Sequence, residues 1–344
     1  MAFKFEIIEK IPRATIIHHI DDEKRVWASD GRKILYQEGK SWMQFAAFPF
    51  SYPRDLFSFS RPTARAMRSD KCNLFINRSG NKIGIRAGWV YAVEREKISP
   101  LFPIQGDCVL HASISQDGEG NIYFGEYFMN PGRGPVRIWR ISHDLAEWHI
   151  AHEFHTIRHV HGVYSDPYNE NNFWITVGDF KGECYILRTD DDFKTFSKYG
   201  DGSQVWRAVH LFFIEEHVNW LTDSNLESNH ACRMSRKTGS LEIGQSLDAS
   251  AWYGCTTKEG THLAFTTIER GPAIRSNESS VLVSADAFRW EKVFAFKKDF
   301  LRPIQIFKYG VISCPSGMMS NKSLYLSGEG LVGLDGISIK ARLF

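Results

Sequence analysis

The chain has 344 residues with 42 basic and 40 acidic side chains, so its formal net charge of +2 gives no general attraction to nucleic acid or to an anionic membrane surface. Hydrophobic residues make up 43% and charged residues 24% of the sequence, which is typical of a folded globular chain and excludes disorder as its main state. No apolar run approaches the roughly 18–20 residues of a membrane-spanning helix, and the start lacks an apolar signal core, so we expect a cytoplasmic protein without membrane insertion.

The residue types favour many short strands. The chain contains 25 Phe, 12 Tyr and 10 Trp together with 27 Gly. Aromatic side chains are enriched in strands, and glycine is enriched in tight turns. The first predicted element, residues 3–8, alternates apolar and polar side chains like an edge strand.

Two positions in the sequence repeat with the same period. The first is a polar or aromatic residue that opens a strand-like run, and it recurs at steps of 46 to 52 residues at Arg13, Arg65, His111, His161, Arg207, Tyr253 and Arg302. The second ends the following strand-like run, and it recurs at steps of 44 to 53 residues at Asp30, Arg78, Glu126, Asp179, Asp223, Glu269 and Ser316. This period is the length of one four-stranded propeller blade.

The repeats predict an all-β fold. We expect a seven-bladed β-propeller with four-stranded antiparallel blades, in a single domain of residues 1–344. If the short first unit is only an extension, the propeller has six blades. The strand at residues 3–8 is predicted to pair with the blade formed after Arg302 and to close the ring. Helix should be nearly absent.

A third pattern follows the second strand of several units, at residues 142–148, 189–196 and 284–290. These segments resemble the Asp-box, or BNR, turn of sialidase-like propellers, in which an Asx-type turn joins the third and fourth strands of a blade. The resemblance implies that these turns lie away from the active site. Their aspartates are therefore interpreted as structural: Asp144, Asp191 and Asp286.

A propeller brings equivalent positions to one mouth of its central channel, which is the default binding site. Most of the repeated positions hold ionisable side chains, which favours a functional site, although a purely structural network of ion pairs is the alternative. The candidate catalytic residues are Glu126, His161, Asp179, Asp223, Tyr253 and Glu269. The candidate substrate-binding residues are Arg13, Arg65, Arg78, His111, His159, Arg207, Arg302, Trp206 and Trp252.

The charges on the predicted ring favour an acidic oligosaccharide or polysaccharide as the ligand. Arginines gathered on one arc suit the binding of a carboxylate, and paired carboxylates on the other arc suit cleavage of a glycosidic bond. We therefore predict a carbohydrate-active enzyme, a sialidase-like glycoside hydrolase acting on a uronate- or sialate-like glycan, with Asp179 and Glu126 as acid and base. Trp206 and Trp252 would stack on a sugar face, unless they pack between blades.

The resemblance to sialidases extends to Tyr253 and Glu269, since a tyrosine activated by a glutamate is the nucleophile of that family. Propeller polysaccharide lyases offer a second resemblance, because they use His, Tyr and Arg to abstract the proton beside a uronate carboxylate. In this chain His161, Tyr253 and Arg207 would do so. The third alternative is a non-catalytic propeller that binds a glycan or a protein on its channel face.

No cofactor is predicted, although a divalent metal is an open alternative. His159 and His161 lie two residues apart on a predicted strand, so their side chains share a face and suit a metal or a proton relay. If a metal binds, the candidate ligands are His111, His161 and Asp179.

Overall fold

Seven sheets, each containing four antiparallel strands, form a seven-bladed β-propeller, which confirms the predicted fold. The computed structural model describes residues 3–307 and 309–344. Strands make up 51% of the chain and helices 5%, so helix is nearly absent, as predicted. Within the described residues, no helix is long and apolar enough to cross a membrane.

Strand β1 (Phe5–Ile11) comes first in the chain and belongs to the last blade. From the channel outwards, the first blade contains β2 (Ile16–Ile20), β3 (Val26–Asp30), β4 (Lys33–Glu38) and β5 (Ser41–Ala47). The second blade contains β6 (Asn73–Ile76), β7 (Lys82–Arg86), β8 (Trp89–Glu94) and β9 (Lys97–Pro103). The third blade contains β10 (Ser115–Gln116), β11 (Ile122–Gly125), β12 (Val136–Ile141) and β13 (Trp148–Phe154).

The remaining blades follow the same order. The fourth blade contains β14 (Val160–Asp166), β15 (Asn169–Val177), β16 (Cys184–Thr189) and β17 (Ser197–Gly202). The fifth contains β18 (Phe212–Phe213), β19 (His217–Leu221), β20 (Asn229–Ser235) and β21 (Leu241–Leu247). The sixth contains β22 (Ala251–Thr256), β23 (His262–Thr266), β24 (Glu278–Ser284) and β25 (Glu291–Lys297). The seventh contains β26 (Val311–Ser313), β28 (Leu324–Glu329), β29 (Ser338–Leu343) and β1, while the short β27 (Ser316–Gly317) pairs with β2.

The N-terminal strand closes the ring, as predicted. It pairs antiparallel with β29, from Phe5 opposite Leu343 to Ile11 opposite Ser338. Without β1, the outer edge of the seventh blade would present an unpaired row of backbone groups. A second link between the first and last blades comes from β27, in which Ser316 lies opposite His19.

A helical insert between β5 and β6 interrupts the regular repeat. It contains a 3-10 helix (Arg54–Phe57) and α1 (Arg61–Met67), which begins where the Ser60 side chain accepts a hydrogen bond from the Thr63 N–H. Further along the chain, a 3-10 helix (Gln204–Trp206) and α2 (Ile304–Phe307) complete the described helices. From α1, the guanidinium of Arg65 bonds to Asp299 and to the Phe307 carbonyl. The insert is therefore tied to the connection between the sixth and seventh blades.

Aromatic side chains fill the space between blades. In one such contact, the Tyr123 ring lies 4.6 Å from that of Phe173 and 5.2 Å from that of Phe193. The Asp191 carboxylate accepts backbone hydrogen bonds in the turn between β16 and β17. Because strand directions alternate within a blade, this turn lies at the end of the propeller opposite to the start of the inner strands.

Candidate active site at the channel mouth

The site lies where inner strands begin and second strands end. In the fourth blade, β14 starts at Val160 and β15 ends at Val177, so the residues just outside these strands meet at the same end of the channel. The fifth and sixth blades bring the ends of β19 and β23 to the same place. We call this end the channel mouth. It gathers His159, His161, Asp179, Arg207, Asp223, Trp252 and Glu269 from the predicted set.

Asp179 is the centre of this cluster. Its Oδ2 lies 2.7 Å from Arg158 Nη1 and 3.3 Å from His159 Nε2, while its Oδ1 lies 3.0 Å from Arg207 Nη2 and 3.2 Å from His161 Nε2. Burial alone would raise the pKa of Asp179, but its contacts with His159 and His161 outweigh burial and hold that pKa well below its usual range. Asp179 is therefore a carboxylate at neutral pH.

In their neutral form the two histidines present lone pairs to Asp179. His159 Nδ1 lies 3.0 Å from the Phe128 carbonyl, and His161 Nδ1 lies 2.8 Å from the Ala208 carbonyl, so each Nδ1 must carry the proton and donate it. In the neutral rings both Nε2 atoms are then acceptors, yet they lie only 3.1 Å apart and face the carboxylate. Arg158 and Arg207 supply positive charge to the carboxylate. The two facing Nε2 lone pairs are satisfied by a proton on one ring or by a bound cation. His159, His161 and Asp179 can together hold a metal ion.

Asp223 and Glu269 lie beside this cluster. Arg207 Nε is 3.2 Å from Asp223 Oδ2, and Trp252 Nε1 donates to Asp223 Oδ1 at 2.6 Å. Burial, opposed by Arg207 and reinforced by Glu269, raises the pKa of Asp223 to about 7. Burial also raises the pKa of Glu269, which accepts a hydrogen bond from Ser250. One guanidinium thus joins an ionised carboxylate to a carboxyl group that titrates near neutrality.

His111 and Tyr253 lie nearby but outside the Asp179 cluster. Their rings are 5.6 Å apart and line a cavity together with Trp252. Burial raises the pKa of Tyr253 above its usual range. His111 is not among the residues that can share a metal with His161 and Asp179. In the predicted set of metal ligands, His159 therefore takes the place of His111.

Glu126 reaches its predicted position but is sealed from solvent. Its side chain is fully buried, and it accepts hydrogen bonds from the backbone N–H groups of Gln105 and Arg137 and from Trp139 Nε1. With its oxygens occupied in this way, Glu126 holds three chain segments together. The structure therefore does not offer it as an acid or base.

Four predicted arginines do not join the cluster. Arg78 lies in the turn between β6 and β7, 3.3 Å from Glu170 at the opposite end of the channel, because β7 ends only at Arg86. Arg65 is buried in α1, Arg302 bonds to backbone carbonyls in an exposed loop, and Arg13 is exposed just before β2. The predicted arginine wall therefore does not form.

Two further positions differ from the prediction. Trp206 stacks on Trp220 with ring centroids 5.3 Å apart and is buried between strands, so it has no face for a sugar. Ser316 lies in β27 against β2, since the second strand of the seventh blade is β28 and ends at Glu329. Glu329 closes an apolar strand-like run like the other second strands, which is a signal that sequence reasoning missed. Arg158 was also missed, although it directly precedes His159.

Comparison with known proteins supports the fold. No protein-family model matches the sequence, and no curated protein matches it. Among solved structures, the chain is similar to an oligogalacturonate lyase from Vibrio parahaemolyticus, with 7% identity and a TM-score of 0.60 over 99% of this chain and 97% of that chain.

Two other solved structures are similar. One is the extracellular domain of a one-component system from B. thetaiotaomicron, with 13% identity and a TM-score of 0.59. The match includes 98% of this chain but only 39% of that chain. The other is YCF48 bound to a D1 peptide, with 9% identity and a TM-score of 0.54 over 99% of this chain and 95% of that chain. At these identities the likeness shows a shared β-propeller fold alone, and no sialidase family is shown.

Proposed function

We propose that the protein cleaves a glycosidic bond in an acidic glycan at the channel mouth, by β-elimination. The observation that carries this proposal is the pairing of Asp179 and Asp223 through Arg207. Asp179 stays ionised, whereas the pKa of Asp223 is raised to about 7 by burial, so Asp223 can take up and release a proton at neutral pH. Arg207 lies 3.0 Å from one carboxylate and 3.2 Å from the other.

The elimination needs one group that moves a proton and a positive charge beside it. The Asp223 carboxylate takes the proton from C5 of a uronate residue, and the C5–H electron pair forms the C4=C5 double bond. The C4–O4 bond breaks, and the leaving O4 receives the proton from Asp223. Arg207 stabilises the negative charge that develops next to the sugar carboxylate.

Elimination requires one carboxyl group to move a proton, whereas hydrolysis requires two. Hydrolysis by two carboxylates requires both to face the substrate, at a separation of roughly 5 to 9.5 Å. Glu126, the predicted partner of Asp179, is fully buried and hydrogen bonded. The oligogalacturonate lyase with the same fold supplies the substrate class, an oligosaccharide of uronates.

We include a divalent cation in this proposal, held by His159, His161 and Asp179. These residues fit such an ion, because two imidazole lone pairs and a carboxylate converge on one point. Each Nδ1 donates to a backbone carbonyl, which leaves each Nε2 lone pair available to the ion. When bound, the ion would add positive charge near the uronate carboxylate. The chain's own residues still move the proton.

The test is an assay of purified protein with oligogalacturonate and oligoglucuronate, following the ultraviolet absorbance of the unsaturated uronate product. We expect Asp223→Asn to lower the rate about 100-fold or more, since it removes the proton-transfer group. Asp190→Asn is the matched control, because Asp190 is exposed in a turn at the opposite end. Full activity of Asp223→Asn, or no product from any acidic glycan, would contradict the proposal.

Metal content is measured separately by elemental analysis after incubation with Mn²⁺ or Zn²⁺. We expect the native protein to retain about one ion per chain and His161→Gln to retain none. His155→Gln, which changes an exposed histidine, should retain it. A native protein that retains no ion would remove the cation from the proposal and leave the acid–base chemistry in place.

Hydrolysis is the second candidate, because the pKa values of Asp179 and Asp223 are driven in opposite directions, as in an acid–base pair. In the same assay, hydrolysis would release new reducing ends without ultraviolet absorbance. If the protein binds acidic glycans and releases neither product, the non-catalytic alternative takes the place of both.

A further inference from the structure

Arg207 is already occupied by oxygen atoms of the protein itself. Its Nε donates to Asp223 Oδ2 at 3.2 Å, and its Nη2 lies 3.0 Å from Asp179 Oδ1. Its Nη1 donates to the Asp179 carbonyl at 3.2 Å and to Asn225 Oδ1 at 3.4 Å. These contacts use all three nitrogen atoms, whereas a paired bond to a ligand carboxylate needs two of them free. The carboxylate of an acidic sugar therefore needs another cation at the channel mouth.

Arg270 is a further guanidinium at the channel mouth. It directly follows Glu269 in the chain that leaves β23 at this end of the propeller, and it is exposed to solvent. Among the described residues, its guanidinium forms neither an ion pair nor a hydrogen bond. Arg158, by contrast, is paired with Asp179 at 2.7 Å. Arg270 is therefore available to a ligand.

Asn225 fixes the backbone of Arg270 beside the Asp179 cluster. The Asn225 Nδ2 donates to the Arg270 carbonyl at 2.9 Å, while the Oδ1 of the same side chain accepts from Arg207. The next residue, Gly271, passes so close that a Cβ there would lie 2.0 Å from the Asn225 carbonyl oxygen. One amide side chain thus separates the Arg207 guanidinium from the backbone of Arg270.

Tyr309 brings a hydroxyl group from the seventh blade to the same place. The Ile268 N–H donates to the Gly310 carbonyl at 2.8 Å, and the Gly310 N–H donates back at 3.0 Å. This pairing sets Tyr309 beside the chain that continues to Arg270. Burial and the charge of Glu269 raise the pKa of Tyr309, and the charge of Arg270 opposes them. In the part of the chain that the structure describes, the Tyr309 hydroxyl has no hydrogen-bond partner.

These two donors lie close to the proposed base. The Tyr309 ring is 5.7 Å from the ring of Trp252, and Trp252 Nε1 donates to Asp223 at 2.6 Å. In a uronate, the hydrogen that is removed and the carboxylate are both attached to C5. The base and the group that binds the carboxylate must therefore be neighbours, as Asp223 and this pair of donors are.

The charges at the channel mouth also suit an anion. Even with Asp223 ionised for proton removal, the Asp179 and Asp223 carboxylates only balance the two guanidinium groups that bond to Asp179. Burial raises the pKa of Glu269, which favours its neutral form. The positive charge of Arg270 is therefore not cancelled by these groups.

We propose that Arg270 binds the carboxylate of the uronate that is cleaved, through two parallel N–H groups, with the Tyr309 hydroxyl as a further donor. The choice of a uronate rests on the proposed function, whereas the choice of an anion rests on the uncancelled charge of Arg270. This contact directs C5 of the sugar towards Asp223 and discriminates against neutral or esterified sugars.

Calorimetry with trigalacturonate and its methyl ester tests the role of Arg270. Asp223→Asn serves as the parent protein, so that cleavage does not disturb the titration. We expect the parent to bind the acid at least about tenfold more tightly than the ester, as hydrogen bonds to a charged group imply. Adding Arg270→Gln should abolish this preference, and adding Arg270→Lys should keep part of it, because lysine retains the charge without the paired bonds. Arg275→Gln, which changes an exposed arginine of the same loop, should leave the preference unchanged.

Equal binding of acid and ester by the parent, or a preference that Arg270→Gln leaves intact, would overturn the role of Arg270. The activity of the native protein separates this result from the proposed function. If the preference depends on Arg270 but native protein releases no unsaturated product, the anion site stands and the elimination fails. If native protein releases that product and the preference does not depend on Arg270, the elimination stands and the assignment of Arg270 fails.

Discussion

Asp223→Asn should change how the stability of the protein depends on pH. Burial is the main cause that raises the pKa of Asp223, from 3.8 to about 7. As pH rises through 3.8 the unfolded chain loses this proton first, so it binds fewer protons than the folded chain and stability falls. The fall ends near pH 7, where the folded carboxyl also ionises. Asparagine has no such titration.

The size of the effect follows from the shift of about three pH units. Each unit corresponds to about 1.4 kcal/mol, so the free energy of unfolding of native protein, relative to Asp223→Asn, should drop by about 4 kcal/mol between pH 4 and pH 8. Asp179 has little effect on the free energy of unfolding between pH 4 and pH 8. Its pKa is lowered in the folded chain, so the stabilisation that it provides is lost as the pH falls below this range.

The assay is urea unfolding followed by tryptophan fluorescence at several pH values, with free energies from linear extrapolation. Asp190→Asn is the control, and its profile should run parallel to that of native protein because Asp190 is exposed. Profiles of native protein and Asp223→Asn that stay parallel within about 1 kcal/mol would refute the reasoning, since one shifted pKa unit alone is worth more than that.

Three further changes test the fold. Arg65→Met should lower stability by about 1–3 kcal/mol, measured by urea unfolding, because the Phe307 carbonyl and Asp299, which keeps Lys298, each lose a buried donor; an unchanged free energy of unfolding would contradict this. Gly125→Ala should cost about 1–3 kcal/mol, since a Cβ there would lie 2.4 Å from Val160, and an unchanged thermal midpoint would disprove it. Deleting residues 1–11 should produce aggregates in size-exclusion chromatography, because it exposes the edge of β29, and a stable monomer would count against ring closure by β1.

The number of blades could be predicted because each sequence repeat corresponds to the strands of one blade. His161 lies at the start of β14 and Asp179 follows β15, and the fifth blade likewise places Arg207 before β18 and Asp223 after β19. The alternating pattern at residues 3–8 also predicted the closing strand, because an edge strand with no local partner must find one elsewhere in the ring.

The rest of the site depends on contacts between distant segments, which the spacing of the repeats does not predict. The helical insert fills the step that ends at Arg65, so equal spacing in the sequence placed a helix residue where an inner strand was expected. Glu126 is in register, but its donors come from Gln105 and Trp139, which lie in other segments. Only the folded chain shows that this carboxylate is enclosed.

The closing strand also has a consequence for biosynthesis. Phe5 pairs with Leu343, so a strand made among the first residues must wait for a partner made 338 residues later. Translation at about 5–20 residues per second separates the two by tens of seconds. Six blades can therefore assemble on the ribosome while β1 stays single, and the last step of folding joins the oldest part of the chain to the newest.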